Sequence, residues 1–295
     1  MKTTTKQMLI AAIAATTFVW ASGCWKSDGQ ERLDELYPPD GDEDAEELDI
    51  AEVELEEFEA ESLAGRWALH VYQQGTISPL ASPWDIAIND LFIADIDAAQ
   101  ETMTLTFCNQ IANIDSGGGS GNALGQSKTP ELLQNAIAES PLEIGLPGDG
   151  TLPKQTDLVW TWGLHDMDDP ANTPLPEAAG DSLVWDQDED TNPGVTLEIL
   201  NPEGHRYMVR RAVWTWQAAE IDDDWSFARG DVTFRVDEKA LGADNALLET
   251  VAPITANAEG NFYQMIRVGG EADAGDYDCA RLREEWLGLF PQQEN

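Results

Sequence analysis

From residue 63 onward the large apolar side chains of this chain recur at every second position, and that period leaves few folds open. In Thr102-Met103-Thr104-Leu105-Thr106-Phe107-Cys108, Met103, Leu105 and Phe107 alternate with threonines, the pattern of a strand with one buried face. Trp67, Leu69 and Val71 repeat it in Trp67-Ala68-Leu69-His70-Val71-Tyr72. Further strands are predicted at 84–88, 158–162, 196–200, 206–216, 225–236 and 262–268, and a shorter one at Leu183-Val184-Trp185. Asn201-Pro202-Glu203-Gly204 suits a type I turn between two of them. A glycine-rich loop is expected at 116–128, then a short helix capped by Thr129 and running to about Glu139. A second short helix is expected at 237–241. From about Asp278, the residues Cys279, Leu282, Trp286 and Leu289 share one face of a C-terminal amphipathic helix. The expected fold is mainly β: an antiparallel meander forming a barrel or sandwich, as one domain over residues 63–295.

The residues before this domain have a different character. From Lys26 to Ser62 there are 17 acidic and two basic residues. Like charges repel and apolar residues are too sparse for a core, so residues 24–62 read as an extended acidic tether. Residues 1–23 carry Lys2 and Lys6, then an apolar run from Met8 to Ala21, then small residues. That is the make-up of an export signal, too short to span a bilayer permanently.

Ser22-Gly23-Cys24 closes this signal and resembles the lipobox of the bacterial lipoprotein family. The resemblance implies cleavage after Gly23 and acylation of Cys24, with Trp25 at the next position pointing to the outer membrane. An ordinary secretory signal with an incidental Cys24 is the alternative. An exported chain sits where disulfides persist, and with Cys24 lipidated the remaining pair is Cys108 with Cys279.

Without Lys2 and Lys6 the chain retains 14 basic against 56 acidic residues, a formal charge of −42. Phosphate contacts need clustered Lys and Arg, so a nucleic-acid partner is excluded. Membrane contact is expected through acyl chains on Cys24 alone. His70, His165 and His205 are scattered, and no zinc motif or nucleophile motif occurs. No catalytic residue is assigned. Two acidic clusters have some metal-ligand character: Asp166 and Asp168 beside His165, and Asp186, Asp188 and Asp190. The second lacks an EF-hand's Gly, which is Thr191 here, and its closing Glu, which is Leu197. Both read as solvated acidic turns, with calcium as the alternative and no other cofactor expected. Trp160 with Trp162 and Trp214 with Trp216 place two indoles on one face of each strand. They fill a core or line a site for an apolar or glycan ligand.

Gly65-Arg66-Trp67 on the first strand, the succession of antiparallel strands, the helix after the last one and a disulfide back to a middle strand are similar to the lipocalin superfamily. That resemblance implies a closed barrel with Trp67 at its base, Arg267 covering that end and a ligand mouth opposite. The expected role is a non-enzymatic, lipid-anchored envelope protein, facing periplasm or cell surface, that binds a small apolar or glycan ligand or an envelope protein. A glycan hydrolase using a carboxylate pair and a purely structural scaffold lipoprotein are the alternatives. The acidic excess also predicts a salt response, since salt screens self-repulsion. The thermal midpoint, followed by calorimetry from low to high sodium chloride, is expected to rise.

Overall fold

The computed structural model describes residues 63–78, 83–115, 123–147, 152, 154–217, 219–269 and 276–290. The export signal, Cys24, the tether and the Ser116–Gly121 part of the glycine-rich loop lie outside the described residues. Among the described residues no helix is long and apolar enough to cross a membrane. Among the described residues twelve strands follow one another: β1 (Gly65–Ile77), β2 (Trp84–Asp97), β3 (Thr102–Asp115), β4 (Ala123–Lys128), β5 (Leu142–Gly145), β6 (Gln155–Trp162), β7 (Val195–Leu200), β8 (Glu203–Trp216), β9 (Glu220–Ile221), β10 (Phe227–Ala243), β11 (Ile254–Ala256) and β12 (Phe262–Gly269). Helix α1 (Glu131–Ala138) joins β4 to β5, and α2 (Cys279–Leu289) follows the last strand.

All pairings are antiparallel. The order β8-β7-β4-β3-β2-β1-β12-β10 is closed by a ladder between β10 and β8, giving a ring of eight strands. The ring is uneven. β2 pairs with β1 and with β3 over 13 residues each, whereas β4 meets β7 only at Ser127 with Ile199 and Lys128 with Glu198. Below that seam β5 pairs with β3 and β6 with β8. Alongside them α1 places Leu133 and Ile137 in the interior core.

Alternation decides which residues face inward. Trp67, Leu69 and Val71 of β1 point into the ring, as do Met103, Leu105 and Phe107 of β3. A bulge then shifts the β2–β3 register between Leu91 and Phe92, so that Leu91 opposes Asn109 while Phe92 opposes Phe107. Cys108 is the extra residue, and an extra residue changes the phase of the pleat. It lies on the outer face, where it forms the disulfide with Cys279 at the start of α2. Asp278 caps that helix by accepting from the Arg281 amide at 2.9 Å. Leu282, Trp286 and Leu289 then bury against Ala68, Leu91, Ile93 and Ile266 on the outside of the ring.

Several expectations are corrected. Residues 123–128 of the expected loop are strand β4. Thr129 does not cap α1; its hydroxyl donates to the Gln110 carbonyl, and Pro130 occupies the cap position. Residues 237–241 are not a helix but the continuation of β10, where Asp237 opposes Arg211 and Glu238 opposes Arg210. Leu183-Val184-Trp185 makes a single bridge, Val184 to Leu164, within irregular chain. The β7–β8 register pairs Leu200 with Glu203, so the connection is the two residues Asn201 and Pro202 and not a type I turn with Gly204 at its end.

The disulfide encloses a sequence separation of 171 residues, and chain-entropy models assign long loops the larger effects. Replacing both cysteines by serine is expected to lower the unfolding free energy by about 2 to 5 kcal/mol, read from urea denaturation, while the far-ultraviolet β signature is kept.

Candidate functional site

The ring interior is layered. At the end where β1 begins, Trp67 is fully buried and donates its indole N–H to the Leu63 carbonyl at 2.9 Å. The Arg267 guanidinium lies 5.4 Å from the centre of its ring. The four tryptophans of β6 and β8 fill the layer above. Trp160 is 5.1 Å from Trp162 and 5.6 Å from Trp214 between ring centres, and Trp216 stacks on Tyr263 at 4.5 Å. Phe92 and Phe107 pack against Trp160. Trp160, Trp162, Trp214 and Trp216 are therefore brought together, as the alternation implied, but as buried core. None of them lines either of the described cavities.

Above the indoles lies a belt of polar side chains. Asp90 is fully buried, and its two carboxylate oxygens accept from the side-chain amides of Gln73 and Gln110. Gln73 in turn accepts from the Trp214 indole N–H at 3.1 Å. Gln110 accepts from Arg210 Nη1 at 2.7 Å, and the same nitrogen is 3.1 Å from Glu238. The Arg210 guanidinium stands 4.9 Å over Trp162. Its Nε and Nη2 are buried and have no hydrogen-bond partner, and the residue is only 3% exposed. Burial pushes the Asp90 carboxyl up to about 6, against the pull of Arg210 and the two glutamines.

Beyond the belt, at the end where β1 finishes, the ring opens into a cavity of about 280 Å³. Ile77, Ile86, Ile88, Ala112, Leu197, Ile199, Leu248 and Ile254 supply its aliphatic walls, with Arg206, Arg210 and Glu238 as the charged groups of the lining. Sites for small molecules are mostly apolar with a few placed polar groups, and run from about 300 to 1,000 Å³. A wider groove of about 630 Å³ shares Glu238 and Ile254 with it. Its Arg211 is held by Asp237 at 2.7 Å and its Lys239 by Glu177 at 3.0 Å, so both of its cations already have carboxylate partners.

Of the acidic clusters, Asp166 pairs with His165 at 2.8 Å in the open, and Asp168 is exposed. Neither belongs to a group of potential metal ligands. Asp186, Asp188 and Asp190 do form one, each bringing an oxygen within 4.8 Å of the others. Burial raises the Asp188 carboxyl to about 6 against the Thr196 amide that bonds it. His70 sits under α2, donating through Nε2 to Asn89 at 2.9 Å while Nδ1 accepts from Gln264 at 3.1 Å. Burial lowers it to about 4, the behaviour of a satisfied core histidine.

Sequence reasoning missed the belt and the cavity. A signal for them exists: Gln73 lies in phase with Trp67, Leu69 and Val71, and Arg210 in phase with Ala212, Trp214 and Trp216. A polar residue on an apolar phase marks a buried polar group. Comparison with family models, curated proteins and solved structures finds no match for this chain.

Because its folded value is raised, Asp90 holds its proton at pH values where the unfolded chain has released it, so the fold loses stability as pH rises from about 4 through about 6. Asp90→Asn removes this dependence. Relative to the wild type, its unfolding free energy is expected to improve by up to about 3 kcal/mol between pH 4 and pH 7, measured by urea denaturation at each pH. Taking the difference between variant and wild type cancels the contributions of His70 and Asp188.

Proposed function

We propose that this chain is a lipid-anchored bacterial envelope protein, held at the outer membrane through Cys24, whose ring binds a small apolar carboxylic acid without catalysing a reaction. The observation that carries the reading is Arg210, which lines an aliphatic cavity while its buried Nε and Nη2 lack a hydrogen-bond partner. Buried donors without partners cost free energy, and a ligand that supplies acceptors removes that cost. In a chain of formal charge −40 the cavity lining carries two arginines against one glutamate, so an anionic head meets a local positive excess. The aliphatic walls suit a hydrocarbon tail and favour it over a glycan, whose hydroxyls need acceptors and donors along their length.

Support for a lipocalin-like arrangement comes from Trp67 under Arg267 at one end and the cavity at the other. The chain enters the domain at Leu63, beside Trp67.

Calorimetric titration of the intact, delipidated protein with octanoate and with octanol at pH 5.5 tests the reading. Charge-assisted hydrogen bonds contribute about 1.5 to 3 kcal/mol, so the acid should bind roughly tenfold to a hundredfold more tightly than the alcohol. Arg210→Gln should abolish that preference and retain octanol binding. Equal affinity for the two probes, or no binding of either, would count against the proposal. The preference for the acid should weaken above about pH 6, as Asp90 below the cavity ionises and offsets Arg210.

A further inference from the structure

We propose that Asp186, Asp188 and Asp190 form a calcium site that clamps the start of β7. The three carboxylates each contribute an oxygen to a group within 4.8 Å, a spread that oxygens bound to one calcium ion at about 2.3–2.6 Å can span. Acidic clusters are common on a surface this charged, and proximity alone would mean little. Asp188 changes the argument. It is 2% exposed, and its Oδ1 is sealed from water with no hydrogen-bond partner.

The other oxygens of the cluster are all accounted for. Asp186 accepts from the amides of Asp190 at 3.1 Å and Thr191 at 2.9 Å. Asp190 accepts from the amide of Asn192 at 2.8 Å and from the Thr196 hydroxyl at 2.5 Å. Asp188 Oδ2 accepts from the Thr196 amide at 2.9 Å. Among the described ion pairs, none reaches any of the three. A buried carboxylate oxygen with neither donor nor counter-charge is unfavourable. A hard divalent cation is the partner that three convergent carboxylates select, since it takes oxygen ligands and neutralises their mutual repulsion. Calcium is favoured over magnesium, because irregular chain supplying several protein oxygens suits its flexible coordination, while magnesium keeps most of its water.

The loop is framed for this role. Gln187 donates its amide to the Gly194 carbonyl and accepts the Gly163 amide through its side chain at 2.8 Å. Thr191, sixth from Asp186, adopts a left-handed φ of 73°, the conformation that the sixth position of a calcium loop requires and that glycine adopts most readily. Thr196 ties two of the carboxylates to β7. The next inward residues of that strand, Leu197 and Ile199, line the cavity, and the strand holds the weak seam with β4. An occupied site therefore fixes one wall of the ring.

The test uses the intact protein, stripped with a chelator and then dialysed free of it. Adding calcium at about 1 mM, the range of extracellular calcium modules, should raise the thermal midpoint, with magnesium giving a much smaller rise. Asp188→Asn, whose own melting transition in metal-free buffer reports that it is folded, should lose the calcium-dependent rise. Terbium offers a direct readout that needs no variant of the site: Trp185, adjacent to Asp186 in the chain, should sensitise its luminescence, and calcium should displace it. Trp185→Phe should dim the luminescence and leave the calcium-dependent rise in place. A stripped wild type that neither shifts with calcium nor sensitises terbium would overturn the proposal. So would Asp188→Asn keeping the wild-type rise.

Discussion

The interior of this ring depends on keeping one carboxylate satisfied away from water. Asp90 has no solvent exposure, and an isolated ionised acid in such a place would be too costly to keep. Two glutamines meet it, and each has its other side-chain atom committed further out, Gln73 to Trp214 and Gln110 to Arg210. The belt that results joins β1, β2, β3, β8 and, through Glu238, β10. Those strands lie on opposite walls. Where its members are satisfied a polar network specifies one arrangement more sharply than apolar packing does, and the satisfied trio of Asp90, Gln73 and Gln110 fixes the register of β1, β2 and β3 against one another. Arg210 is the member left incomplete. The belt thus separates an aromatic half that is filled from an aliphatic half that is not, and Arg210 borders both.

β7 has an unusual position in this scheme. It supplies inward side chains to the cavity and joins β4 through a two-residue ladder, and the chain leading into it carries the two carboxylates that hold Thr196. Cavity, seam and acidic loop are therefore three aspects of one short strand. Whatever stiffens the loop stiffens the wall against which a ligand would lie.

Much of the architecture was legible because strand period is a strong local signal. β1, β3, β12 and the face of α2 follow from alternation or helical spacing alone, and the cysteine pairing follows once Cys24 is set aside on the expectation that it is lipidated. Failures occur where distant partners override local preference. Asp237-Glu238-Lys239-Ala240-Leu241 favours a helix by composition, yet Arg211 and Arg210 lie opposite its first two residues and draw it into the sheet. The tryptophans were placed correctly together, but whether indoles lie in a core or on an open wall depends on what fills the ring around them, and Phe92, Phe107 and Tyr263 come from three other strands. Arg210 and Gln110 are 100 residues apart. No local pattern could pair them, and the bulge at Cys108 hides the inward phase of Gln110 from any count made along β3. In Asp186-x-Asp188-x-Asp190 the residue types were visible, but not that Asp188 alone would be sealed inside.

That bulge has a further consequence. Counting along β3, odd-numbered residues face inward up to Phe107 and even-numbered ones from Gln110 onward, so a single residue acts as a phase shifter for the second half of the strand. Loss of one residue at this place would leave the ladder regular and turn Gln110, Ala112 and Ile114 out to solvent, emptying one wall of the cavity while the aromatic half kept its packing. Insertions or deletions elsewhere in β3 would do the same in reverse. The ring therefore tolerates changes in side-chain size along this strand better than any change in its length.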